Sequence, residues 1–195
     1  MYGRRPYPLL LKRADIMSRK RSFFDKRIVV CGALCALAVI MLYFGAIIEV
    51  MDLSMGAIAS LVIVLIVIEM GYSYAWISYA AISILSFILL PQKLTAVIFA
   101  AFMGFYPIVK SYIEKINSLA VGWCLKLIVA NVAFFGIFLV MKYFMPDQLE
   151  TETMMLALYA LANVAFVLYD YAVSKLITAY FYKLRERIRI YKLLK

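Results

Sequence analysis

Long apolar runs broken at intervals by short polar clusters organise this chain. The first run extends from Ile28 to Ile48 and ends at Glu49 and Asp52. The next, Leu53 to Leu90, would extend roughly 57 Å as one helix, against a hydrocarbon core of about 30 Å. It must therefore fold back, and Glu69-Met70-Gly71 is the interruption where a charge and a helix-weakening glycine coincide. This divides it into spans Leu53–Ile68 and Tyr72–Leu90. Pro91-Gln92-Lys93 ends the third span, since proline cannot continue a helix.

A fourth span is expected over Leu94–Val109, with Pro107 kinking its end, followed by an amphipathic charged connector from Lys110 to Asn117. The fifth covers Leu119–Phe144, and Met145-Pro146-Asp147 opens an acidic loop through Glu152. The sixth covers Met154–Tyr182. The pattern predicts an all-α polytopic membrane protein of six transmembrane helices. A six-helix domain over residues 28–182 is flanked by basic tails at 1–27 and 183–195.

Composition agrees with lipid as the solvent. Of 195 residues, 67% are hydrophobic, whereas soluble globular chains have roughly 45–50%. Of the 21 Lys and Arg, nine lie in residues 1–27 and six lie from Lys183 onward. Basic residues hold flanking segments on the cytoplasmic side and are attracted to anionic lipid. The charge bias places both tails, Lys110 and Lys115 inside, with Glu49, Asp52, Lys93, Asp147, Glu150 and Glu152 outside. The net charge of +10 is thus a membrane signal, and nucleic acid is not expected as a partner. The Met1–Arg27 tail, with Pro6 and Pro8, is expected to be loose, or to lay Leu9–Met17 on the membrane as a short amphipathic piece. It is too long for the polar start of a cleavable signal peptide.

Several chemistries are disfavoured. There is no histidine, which removes the commonest general base and metal ligand. GxxxxGK[ST], HExxH and GxSxG are all absent, so no enzyme, ATP-cleaving machinery or cofactor is expected. Cys31, Cys35 and Cys124 read as small packing residues rather than a metal site.

Polar groups at membrane depth are costly and are candidates for function. Lys126 and Asp170 lie equally far from the loop centre near Gln148, and Asn131 and Asn163 nearly so. In an antiparallel hairpin this predicts a Lys126–Asp170 ion pair and an Asn131–Asn163 meeting near the midplane. Such groups either hold two helices together or line a ligand site, to which Tyr159, Glu49 and Asp52 would also contribute from the outer side. Tyr43, Phe44, Tyr143 and Phe144 read as an aromatic belt or as surfaces for a flat ring. Glu69 is a conceivable partner for Lys110. In span one, Gly32, Ala33 and Ala36 make a small-residue face, which packs within the chain or docks a second membrane subunit.

Gly32-Ala33-Leu34-Cys35-Ala36-Leu37-Ala38 in span one and Gly104-Phe105-Tyr106-Pro107-Ile108-Val109-Lys110 closing span four carry a family likeness. With six spans and a basic N-terminus, the chain resembles the S components, the substrate-capture subunits, of bacterial energy-coupling factor transporters. The resemblance implies a vitamin-like small-molecule ligand bound near the outer face of the bacterial plasma membrane. It implies docking through Gly32, Ala33 and Ala36 onto a transmembrane coupling subunit driven by ATPases, and toppling within the membrane to carry the ligand inward. The missing histidines argue against nickel or cobalt. The rival reading is a non-transporting scaffold whose basic tails recruit partners or anionic lipid.

Overall fold

The computed structural model describes residues 8–48, 51–116, 118–144 and 152–184, with side chains described for 26–48, 51–116, 118–143 and 157–182. The described residues are helical, with no strand among them. Helix α1 runs Pro8–Ile47, α2 Asp52–Met70 and α3 Tyr72–Leu89. Helices α4 (Lys93–Ile98) and α5 (Tyr106–Ile113) are the two halves of one span. Helix α6 runs Leu119–Phe144 and α7 Glu152–Ala179. Six segments are long and apolar enough to cross a membrane, so this is a multi-pass membrane protein.

The long second apolar run does fold back at Gly71, the single residue between α2 and α3. Its φ of +96° lies where L side chains are strained and glycine is not. Residues 8–27, expected to be loose, are instead the first half of α1; residues 1–7 lie outside the described residues. This helix continues unbroken for 40 residues, about 60 Å at 1.5 Å per residue, so about half of it exceeds the hydrocarbon thickness. Once span one is helical, each further residue adds a backbone hydrogen bond without a new nucleation cost, and Pro8 stands at its first position, where a missing N–H costs nothing.

Span four differs most from the expected course. It extends from Lys93 to Ile113, so Lys110 lies inside the span rather than in a connector. A π-helical turn at Phe99–Met103 follows α4. There the Gly104 N–H reaches back five residues to the Phe99 carbonyl at 2.7 Å. Pro107, which has no N–H to donate, then occupies the first turn of α5, where none is needed. Span four is the most enclosed, with 56% of its window buried against 17% for spans five and six.

The core runs along the first three helices. Cys31, Cys35, Ala38 and Leu42 of α1 meet Ala59, Ile63 and Ile66 of α2, with Ala75 and Ile82 of α3 completing the layer. Phe99, Phe102 and Tyr106 of span four extend this core toward Ala130 of α6 and Phe166 of α7.

Candidate functional site

The densest polar chemistry lies where α5, α6 and α7 converge, at the end of the bundle where α1 enters and α7 leaves. Tyr106, Lys110 and Glu114 are spaced four apart, which aligns them along one face of α5 and its end. Asp170 and Ser174 stand in the same relation on α7. Lys126 comes from the third turn of α6.

An aromatic cluster fixes the geometry. The Tyr106 ring has centroids 5.2 Å from Phe102 and 5.3 Å from Phe166, the latter edge-on. This fully buried ring aims its hydroxyl at Asp170 and donates to Oδ1 at 2.6 Å. The Lys110 ammonium also donates to Oδ1. It donates further to the Asp170 carbonyl at 3.0 Å and to Ser174 Oγ at 2.7 Å, and pairs with Glu114 at 3.3 Å. Lys126 Nζ lies 3.0 Å from the other oxygen, Oδ2, and 3.4 Å from Glu114 Oε1. It also stands 5.3 Å from the Trp123 ring centroid.

Two cations and two carboxylates thus make a neutral cluster. Lys110 and Asp170 are almost wholly buried, with side chains 1% and 3% exposed, while Glu114 at 43% reaches the surface. A cavity of about 180 Å³ beside it is lined by Lys110, Ser111, Glu114 and Lys115, enough for a few waters at roughly 30 Å³ each. Both Asp170 oxygens and the Lys110 donors are occupied, so the cluster acts as a clamp joining spans four, five and six. Among the described residues no group of His, Cys, Asp and Glu is placed to hold a metal.

The sequence pattern pointed to Lys126 and Asp170, named Lys110 only as a partner for Glu69, and missed Tyr106, Glu114 and Ser174. The available signal was the spacing of Tyr106, Lys110 and Glu114. It was obscured because Lys110 was assigned to a connector. Glu69 does not take Lys110. It accepts from the Tyr180 hydroxyl at 3.0 Å, and the ion pairs of Lys110 are to Asp170 and Glu114.

The asparagines are arranged otherwise than expected. Tyr159 donates to Asn131 Oδ1, while Asn131 Nδ2 bonds the Leu127 carbonyl at 2.8 Å. Asn163 Nδ2 turns to the Tyr159 carbonyl of its own helix at 3.0 Å. At the level of the asparagines the α6–α7 hydrogen bond is therefore Tyr159–Asn131, because a tyrosine reaches across a gap that two short amides do not bridge. Asp52 begins α2, and its buried Oδ1 has no hydrogen-bond partner among the described residues. Glu49 lies outside the described residues. On α1, Gly32, Ala33 and Ala36 are exposed while Cys31 and Cys35 face the core. A Cβ added at Gly32 would meet nothing within 4 Å. Tyr43, Tyr143 and Tyr159 are exposed aromatics.

Comparison with protein families, with curated proteins and with solved structures finds no match for this chain.

Proposed function

We propose that this chain is a substrate-binding membrane subunit of a bacterial importer of the energy-coupling factor kind. It captures a vitamin-like small molecule at its outer face and docks through span one onto an ATP-driven coupling subunit, with both tails in the cytoplasm. The observation that carries this reading is the outward-facing surface of Gly32, Ala33 and Ala36, with open space over Gly32. In lipid, apolar surface alone gives helices no reason to associate, and close backbone approach over small residues supplies the packing instead. The charge clamp supports the same reading, because it ties the last three spans into a body that can tilt as one. Tyr159, Asn131, Asn163 and the acids Glu49 and Asp52 are the ligand-side candidates.

The test is co-purification from native membranes followed by native mass spectrometry. Gly32→Leu and Ala36→Leu project into open space, so the protein folds but loses its coupling subunit. Asn131→Ala and Asn163→Ala lose a bound vitamin-sized molecule. Identical partners and ligands in all four variants would remove the reading.

The second reading is a scaffold that recruits partners through its basic tails, and the length of α1 favours it. About half of this helix lies beyond a hydrocarbon core of about 30 Å, and that half carries most of the N-terminal lysines and arginines. On this reading, deleting residues 1–27 releases partners while span-one variants do not.

A further inference from the structure

At the opposite end of the bundle from the charge clamp, spans three, four and five enclose a groove of about 620 Å³. That size is within the roughly 300–1,000 Å³ of small-molecule sites. Its walls are Phe87 of α3, Leu94 and Val97 of α4, and Val140 and Met141 of α6. From Leu94 to Ala101 it follows the helix for about 10 Å. The single charged group on its lining is Lys93, at the end where span four begins.

Two features make this a shaped site rather than a casual gap. The π-helical turn at Phe99–Met103 inserts an extra residue into the helix, and such turns recur at functional positions. Ala100 and Ala101, both on this turn, line the groove with methyl groups where larger side chains would close it. The carbonyl of Ala100 is taken by the Tyr79 hydroxyl at 2.7 Å, which holds the turn in place. Lys93 is likewise held, donating to the Phe87 and Leu90 carbonyls at 2.7 and 2.9 Å. Those two bonds leave one of its three N–H donors for a ligand.

The occupant must match an apolar slot with one cation at its mouth and no other charged group. A soluble polar ligand would leave its hydrogen-bonding groups unmet along the walls. We infer that the groove binds one anionic phospholipid, an acyl chain lying along Val97, Ala100 and Ala101 and the phosphate at Lys93. This is independent of the importer reading, since it concerns a different face and a ligand supplied by the membrane itself.

The experiment is native mass spectrometry of the delipidated full-length chain in detergent, titrated with palmitoyl-oleoyl phosphatidylglycerol or phosphatidylcholine. The wild type retains one phosphatidylglycerol, preferred over phosphatidylcholine by about fivefold, the factor one basic residue contributes near an anionic surface. Lys93→Gln brings the preference close to unity and Lys93→Arg keeps it. Ala101→Trp fills the slot and lowers retention of both lipids. Because Lys93→Gln also removes bonds to two carbonyls, Ala101→Trp serves as the independent arm. Equal retention of both lipids by the wild type, a preference surviving in Lys93→Gln, or unchanged binding in Ala101→Trp would each overturn the assignment. So would soluble glycerol phosphate binding as tightly as the lipid.

Discussion

Lys126 and Asp170 stand 44 residues apart in sequence and meet at 3.0 Å between α6 and α7. That contact is half of a shared arrangement, because Lys110 from α5 holds the other oxygen of the same carboxylate. One acid thereby joins three spans. Removing it affects more than the pair visible between two helices.

Asp170→Asn is isosteric but leaves Glu114 as the one counter-charge beside two ammonium groups. Breaking a buried charge pair in this way costs about 3–5 kcal/mol. The expected result is a marked fall in the thermal unfolding midpoint of the detergent-solubilised protein. A loss under about 1 kcal/mol, within the range of exposed ion pairs, would mean that the cluster is solvated and not a clamp.

The two lysines should not be equivalent. Lys110 is buried and contacts Asp170, Ser174 and Glu114, whereas Lys126 is somewhat more exposed and pairs with Asp170 and Glu114. Lys110→Met should therefore be the more destabilising of the two methionine variants. Combining Lys126→Met with Asp170→Asn should cost less than the separate losses added together, with a coupling of about 0.5–3 kcal/mol. Strict additivity in a double-mutant cycle would contradict the contact.

Tyr106→Phe keeps the ring among Phe102 and Phe166 and removes the hydroxyl that donates to Asp170 at 2.6 Å. A hydrogen bond to a charged group is worth about 1.5–3 kcal/mol, and chemical or thermal unfolding should show a loss of that size. No change in stability would show that Asp170 is fully supported by the lysines alone.

Two glycines on different faces should respond oppositely to alanine. A Cβ at Gly104 would lie 2.7 and 2.9 Å from Tyr79 ring carbons, and Tyr79 is tied by its hydroxyl to Ala100. Gly104→Ala should cost about 1–3 kcal/mol through overpacking. Gly32→Ala enters open space and should be neutral or stabilising by up to about 1 kcal/mol through helix propensity. Paired melting curves decide the matter, and equal effects would refute the contrast.

Thiol reactivity gives a direct check on α1. Cys31 and Cys35 are buried and Cys124 is exposed, with the Cys31 thiol donating to Met70 Sδ at 2.9 Å. A lipid-soluble maleimide should modify Cys124 first, and Cys124→Ala should leave the native protein nearly unlabelled until it is unfolded. Rapid labelling of Cys31 in that variant would mean that α1 does not pack on α2 as described.

Much of the architecture follows from the chain alone, because a bilayer imposes one length scale on every apolar run. Six spans, the reversal at Gly71 and the break at Pro91 are local matters of run length and of residues that stop a helix. The expected pairing of Lys126 with Asp170 was also accessible, since two helices joined by one loop place residues equidistant from that loop at equal depth. The same device misplaced the asparagines, because equal depth says nothing about direction around a helix or about reach. Asn163 turns to its own backbone, and Tyr159 takes Asn131 instead.

What only the tertiary structure decided is the role of span four. Read along the chain, Lys110 begins a charged connector, because an isolated lysine is too costly to place within lipid. In the folded protein that cost is offset by Asp170, some 60 residues away, so the span runs on to Ile113. The groove at its other end depends likewise on a π-helical turn held by Tyr79 from a neighbouring helix. Run length determines how many times a chain crosses the membrane. Which charges can lie within it depends on partners that only folding brings together.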